Sequence, residues 1–388
     1  MISSTFSQEQ ITDFDHRHKS LQKKLKENNI KQFIITNPQS IFYLVGASFE
    51  ALERVILLVF NDDGTLNLLV QTLEYSHLIK SYKISEENIV VYKEFPSIDG
   101  QNWNDILLNS NIIKDSSIAI ENNCPLFVAN LFPYATTVSF VDDIRTVKSS
   151  LEIEKIRVAA EYADLGVQYI LNNTKYGTTT FETTASTNVI IQKAARNIPN
   201  LDLMVSKILC SVAFPAPFSG EPHSSFDLHS PLKEGPHVAI VLTQLNGYCA
   251  ESERTFFTTE PSLEENEYFN LMLQAREIGF KMIKPGQKCS DIDEAISDFL
   301  KNNGIKDYHN RLHRVWHGFG LSNHERPWLA EGGKEYLEEN MLVSMEPGIY
   351  IPKLGGFRHS DTILVTSDGA ESLTKIPSDL ESLILTRD

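Results

Sequence analysis

A chain of 388 residues with 41% hydrophobic and 22% charged side chains is globular rather than disordered, and it is too long for one ordinary core, which points to two domains. A formal net charge of −16 excludes nucleic acid as a default partner, because phosphate recognition needs a basic surface. No stretch approaches the roughly 18 apolar residues needed to span a bilayer, residues 1–6 lead into a charged segment without an apolar leader core, and the four cysteines have no metal-finger spacing; a reduced cytoplasmic protein with no membrane partner is the expectation.

Taken in chain order, residues 7–28 place Ile11, Phe14, Leu21 and Leu25 on one face of an amphipathic helix. Short apolar runs follow at 33–35, 55–60, 66–70, 89–92 and 118–120, with Asn61-Asp62-Asp63-Gly64 marking a hairpin turn. Residues 1–148 therefore read as a smaller α/β domain. Ser149 and Glu152 form a capping-box signature ahead of Ile153, Ile156, Ala160, Ala163, Val167 and Ile170, which share a helical face. A second domain, 149–388, opens there. It contains an internal echo: a helix ending near Asn173, a Gly-containing turn and a helix over about 181–196, then a helix over about 264–283, a Pro-Gly turn and a helix over about 291–302. Each helix pair precedes β-rich sequence, so the second domain reads as duplicated α+β.

Four runs in this domain carry groups suited to chemistry: Cys249-Ala250-Glu251-Ser252-Glu253-Arg254-Thr255, Trp316-His317-Gly318-Phe319-Gly320 with His324, Met345-Glu346-Pro347-Gly348, and Gly356-Phe357-Arg358-His359-Ser360-Asp361-Thr362. Glu251 and Glu253 alternate along a predicted strand and share a face, where two close carboxylates raise one pKa and either donate a proton or clamp a cation. A salt bridge to Arg254 or a surface lysine is the structural alternative. His317 and His324 sit in a Gly-rich turn and can hydrogen-bond an oxyanion. His223, in Gly220-Glu221-Pro222-His223, has an imidazole suited to general acid-base work near neutrality, or satisfies buried backbone groups in a loop.

In this order the four runs resemble the pita-bread hydrolases, the group of methionine and Xaa-Pro aminopeptidases, prolidases and creatinase. The resemblance implies an α+β pita-bread catalytic domain preceded by a creatinase-like N-terminal domain. Most of these enzymes hold two divalent metals with Asp, Asp, His, Glu and Glu, and those positions here read Ile240, Glu251, His317, Glu346 and Ser360. Isoleucine and serine supply no carboxylate, so a dinuclear site is not expected. The spacing from His223 to Glu253-Arg254-Thr255 resembles creatinase, the metal-free member. That resemblance implies His223, Glu253, His324 and Glu346 as catalytic residues and no cofactor. His223 moves the proton, Glu253 binds a cationic substrate group, and Glu346 positions water. Substrate binding is implied for Glu251, His317, His359, Arg54 and Arg326, with Trp316 narrowing the pocket or stacking on a ligand and Trp328 standing where creatinase has a carboxylate-binding arginine. Arg54 is implied to reach the partner subunit of a homodimer. The main expectation is thus a metal-independent hydrolase of a C–N bond in a small amide, amidine or dipeptide-like substrate. The alternatives are a metal-dependent Xaa-Pro dipeptidase or aminopeptidase with a single ion, such as Mn or Zn, on Glu251, His317 and Glu346, and a catalytically dead binding protein on the same fold.

Overall fold

The computed structural model describes residues 6–114, 117–223, 225–305 and 310–386; residues 1–5, where the sequence shows no leader core, lie outside the described part. The chain divides into two compact units, Met1–Arg145 and Thr146–Asp388. In the first, β1 (Gln32–Ile35), β2 (Leu57–Asn61), β3 (Leu66–Gln71), β4 (Ile89–Tyr92), β5 (Ile118–Glu121) and β6 (Thr136–Val138) form a sheet in the order β4-β3-β2-β1-β5-β6. The turn foreseen at residues 61–64 joins β2 to β3, with Gly64 at φ +87°, a conformation that costs glycine no steric penalty. One side of this sheet packs Ile34, Val59 and Leu69 against Trp103 and Leu107. The amphipathic helix is Gln8–Glu27, capped by Ser7 and burying Phe14, Leu21 and Leu25.

The second unit begins with the helix Ser150–Asn173. Its Ser149 hydroxyl accepts from the Glu152 N–H while the Glu152 carboxylate accepts from the Ser149 N–H, the reciprocal cap legible in the sequence. This helix lies on two long strands, β8 (His237–Leu245) and β9 (Tyr248–Phe256), which with β7 (Lys207–Phe214) form the first half of an antiparallel sheet. Contact is close at Gly166, where a Cβ would meet Ile190 and Val241 side-chain carbons at 2.7 and 2.8 Å. The second half contributes β10 (Trp316–Gly318), β11 (Glu325–Leu329), β12 (Leu342–Ser344), β13 (Gly348–Ile351), β14 (Gly355–Arg358), β15 (Ser360–Val365) and β16 (Ala370–Ser372). The sheet runs β11-β10-β12-β15-β9-β8-β7 with β16 beside β15, and β13 and β14 form a separate ribbon. Pairing of β15 with β9 joins the halves. Helices Ser150–Asn173 and Ala185–Asn197 precede the first set of strands, and Leu263–Met282 and Cys289–Asn302 precede the second, so the echo in the sequence is the α+β duplication of the fold. Among the described residues no helix is long and apolar enough to cross a membrane.

Register decides what faces what. In the β8–β9 pair Leu242 stands opposite Glu251 and Ile240 opposite Glu253, and in the β9–β15 pair Ser360 stands opposite Glu253. Directly opposed residues project to one face of a sheet. These five therefore share a face, and Ser252, Arg254 and Asp361 lie on the other.

The other face is itself polar at its margin. His237, fully buried at the start of β8, accepts from the Ala216 N–H through Nδ1 at 2.9 Å, with Nε2 3.1 Å from the Lys233 carbonyl. Burial pushes its pKa down to about 4. The folded pKa lies below the unfolded one, so the unfolded chain binds the extra proton and stability is lost as pH falls from about 6.5 towards 4. Thermal or denaturant unfolding across this window should show His237→Gln with a pH slope shallower than that of the native chain, by up to about 1.4 kcal/mol per pH unit.

Candidate active site

Strand alternation along β9 sends both Glu251 and Glu253 into a cleft of ≈ 830 Å³. His317 enters from β10, Glu346 from the turn between β12 and β13, and Arg358 from the end of β14. Ile240, Leu242, Cys210 and Phe214 make an apolar wall, and His223 and His324 stand at the rim, where both are exposed.

Glu251, His317 and Glu346 are buried, and each offers one ligand atom, all within 4.8 Å of one another. The His317 Nε2 lies 3.1 Å from Glu346 Oε1 without the alignment of a hydrogen bond. On the far side of the ring, Nδ1 is 3.2 Å from the Gly318 carbonyl, which leaves Nε2 facing the two carboxylates; burial, which lowers the pKa of the ring, is outweighed by Glu346 and Glu251, which raise it. Ser360 donates its hydroxyl to Glu251 Oε1 at 2.5 Å. Arg358 is committed to Glu253: its Nη2 donates to Oε1 at 3.0 Å and its Nε lies 2.6 Å from Oε2, while Nη1 is 3.9 Å from Glu346.

Charge here is out of balance, because of the two guanidinium groups that line the cleft only Arg358 is paired with its three buried carboxylates. Burial, reinforced by Glu346, pushes Glu251 up to about 7. Burial likewise raises Glu253, although Arg358 opposes it. For Glu346 burial works in the same direction but is outweighed by His317, His313 and Arg358, which hold its carboxyl below the usual range. Glu251, which keeps its proton near neutrality for want of a cation, Glu346, held ionised, and the inward Nε2 of His317 together make a donor set that fits one divalent ion. Two ions do not fit, because Ile240 and Ser360 bring no carboxylate. Cys210 offers no competing nucleophile, since burial pushes its thiol up to about 11.

Several expected residues lie elsewhere. His359 is fully buried behind the strand, where Nδ1 accepts from the Thr255 N–H at 3.0 Å, Nε2 is 3.2 Å from the Ser378 carbonyl and the ring packs edge-on to Phe269. It is a structural histidine, because alternation that turns Ser360 into the cleft turns its neighbour out. Arg326 is held by Glu335, at 2.5 Å from Nε, and does not line the cleft. Trp316 is wholly buried and packs on Gly279, where a Cβ would meet the indole at 2.4 Å, so it neither narrows the pocket nor stacks on a ligand. Arg54, implied to act on a partner subunit's site, is paired within its own chain with Glu53 at 2.9 Å and Glu94 at 3.4 Å. Glu253 cannot serve a cationic substrate group while Arg358 occupies both its oxygens. Arg358, His313 and Arg314 line the cleft and were not singled out in the sequence. Arg358 lies inside a run already noted, and only the choice of the alternate residue there was wrong.

A buried carboxylate-imidazole cluster thus lies where the two halves of a duplicated α+β fold meet, and its three donors suit one divalent ion. Residues 154–367 match the model of metallopeptidase family M24, and residues 17–159 match the creatinase/prolidase N-terminal domain. The chain belongs to family M24 and is a C–N (peptide) hydrolase. It is 28% identical to the Xaa-Pro dipeptidase of Pyrococcus furiosus over 372 residues, covering 94% of this chain and 99% of that one. Its fold is that of the Xaa-Pro dipeptidase from Bacillus anthracis, at TM-score 0.79 and 23% identity over 95% of this chain and 99% of the other. It is also that of the N-terminal domain of FACT complex subunit SPT16 from Cicer arietinum, at 0.77 and 16% over 96% and 99%. The expectation of a site without metal is overturned by the metallopeptidase match and by the three converging donors.

The placement of His359 has a direct test. His359→Ala removes a buried ring and orphans the Thr255 N–H, so it should lower the unfolding free energy by about 2–4 kcal/mol in denaturant titrations. Metal and substrate affinities of the folded fraction should stay unchanged.

Proposed function

We propose that this protein is a metal-dependent dipeptidase for short peptides of the Xaa-Pro type, working with a single divalent ion. The observation that carries this reading is the convergence of Glu251, His317 and Glu346 on one point of a surplus-negative cleft. Similarity along nearly the full length to an Xaa-Pro dipeptidase supports the substrate class. When bound, a divalent ion supplies Lewis-acid activation of water and of the peptide carbonyl.

The side chains around it have separable tasks. His317, oriented by the Gly318 carbonyl, presents its Nε2, and Glu251 and Glu346 present their carboxylates. His324 stands 4.0 Å from His317, ring to ring, and partial burial together with the charge of His317 lowers its pKa to about 4. A neutral imidazole there donates a hydrogen bond to the carbonyl oxygen as charge develops on it. His223, at the rim, delivers a proton to the departing nitrogen. Arg358 balances Glu253 and steadies Glu346, a positioning role. The apolar wall of Ile240, Leu242 and Phe214 receives the substrate side chain and excludes water. The assembly expected is a homodimer.

Elemental analysis of protein loaded with Mn(II) and then desalted should find one ion per chain. Chelation should remove both the ion and cleavage of Xaa-Pro dipeptides, and His317→Ala should bind none. Full turnover in chelator with no ion retained would sink the reading. A second measurement probes the missing ligands. In the double variant Ile240→Asp/Ser360→Glu, carboxylates return to two positions facing Glu251 and Glu253, and ion capacity should rise to two per chain.

A further inference from the structure

His324 has to meet the carbonyl oxygen of the substrate, yet its own ring is held by little. It stands exposed at the rim of the cleft, 4.0 Å ring to ring from His317, and among the described residues no group hydrogen-bonds either of its nitrogens. A histidine that works on a reacting atom is usually oriented by a partner on its second nitrogen. With none here, the place of the ring is set by the backbone that carries it.

That backbone is fastened by charge on both sides. Glu325, the next residue, folds its carboxylate back against the turn: Oε2 accepts from the Ser322 N–H at 3.3 Å, and a Cβ at Gly320 would collide with Oε1. Lys148 meets the same carboxylate, its Nζ 3.1 Å from Oε1. This Nζ also donates to the Thr146 carbonyl at 3.1 Å, while the Lys148 N–H donates to the Asn340 carbonyl at 3.0 Å and Val147 bridges to Met341, so the lysine is tied to the chain entering β12. On the other flank Glu335 holds Arg326 and accepts from the Trp328 N–H at 3.1 Å, which pins β11. The two ion pairs differ in burial, because the Arg326 side chain is 38% exposed and that of Lys148 only 1%. An exposed pair contributes little, whereas breaking a buried one leaves a charge without its counter-charge. Lys148 is therefore the firmer of the two fastenings.

We propose that the buried Lys148–Glu325 ion pair holds His324 at its working place, which makes Lys148 a positioning residue for the cleavage. Lys148 does not line the cleft, and it stands just ahead of the Ser149 cap, far in sequence from the Gly-rich turn on which it acts. Its role rests on the dipeptidase reading, in which His324 meets the carbonyl oxygen. A shift of about 1 Å in such a group is enough to slow a reaction about a hundredfold.

The test is steady-state cleavage of Ala-Pro by the Mn(II)-loaded full-length protein. Lys148→Met should lower kcat about tenfold or more, with KM kept within about twofold and the bound ion retained. Lys148→Arg, which keeps the charge, should recover part of the loss. Made in a His324→Ala background, Lys148→Met should cost less than about twofold further, whereas a lysine that merely stabilises the fold would cost as much in either background. The neutral pair Lys148→Met/Glu325→Gln leaves no buried charge uncompensated and should show the same loss of kcat, so the test survives a single variant that does not fold. An unchanged kcat in Lys148→Met or in the neutral pair, a loss carried by KM, or an undiminished loss in His324→Ala would each overturn the proposal. A crystal structure of the neutral pair reads the same point without activity: the turn 320–325 should shift and the 4.0 Å ring separation of His317 and His324 should be lost, and an unmoved turn would overturn it. Should the native chain cleave no Xaa-Pro dipeptide under any metal, the dipeptidase reading falls, and this structural comparison still decides whether Lys148 places the turn.

Discussion

Burial of three carboxylates, Glu251, Glu253 and Glu346, in one cleft is the constraint around which the catalytic unit is built. An isolated buried carboxylate is too costly to keep ionised, so each must gain a partner or a proton. Arg358 answers for Glu253, His317 and His313 help to hold Glu346 ionised, and Glu251 is left with a serine hydroxyl and a raised pKa. The remaining deficit of positive charge is the kind that a divalent ion would balance. Behind the strands the same problem is solved permanently: Asp361 is buried between Arg254 and Arg276, and Arg254 also reaches the carbonyls of Ser360 and Ile376. That closed network fastens β15 beside β9 and so fixes the distance between Ser360 and Glu251. A rigid satisfied layer supports an unsatisfied one.

The fold by itself does not decide activity, as its sharing between an Xaa-Pro dipeptidase and a FACT complex subunit makes plain. What distinguishes chains on this scaffold is the set of donors turned into the cleft. Here Ile240 and Ser360 supply no carboxylate, and the three remaining donors, Glu251, His317 and Glu346, come together on one point. Counting the missing ligands led to an expectation of chemistry without metal. That count treated the residues as a tally, whereas coordination depends on whether the survivors converge, and convergence is a property of strand register and of the turn that carries Glu346.

Local alternation explains most of the misplaced assignments. In Arg358-His359-Ser360 the middle residue points away from its neighbours, so His359 serves the core while Arg358 and Ser360 face the cleft. The Trp316-His317 pair divides in the same manner, the indole packing on Gly279 and the imidazole entering the site. Arg326 and Arg314 are both near the Gly-rich turn in sequence. A carboxylate from Glu335, nine residues downstream, captures the first, and Trp328 captures the second by its ring face. Neither contact has a spacing that could be read in advance.

From its sequence alone the chain could be assigned a family, a two-part organisation and the helices whose ends are written in local chemistry, such as the Ser149-Glu152 cap and the turn at Gly64. Those features depend on residues within a turn or two of each other, so the chain carries them without reference to anything distant. The doubled order of helices and strands was legible for the same reason. Which side chains meet was decided only in the tertiary structure. Glu251, His317 and Glu346 are far apart in the chain, and the partners that complete or cancel them, Arg358, Ser360 and Glu335, act through distances that long-range sheet pairing sets. Electrostatic balance in a buried cleft is a sum over such neighbours, and it takes a value only when all of them are in place.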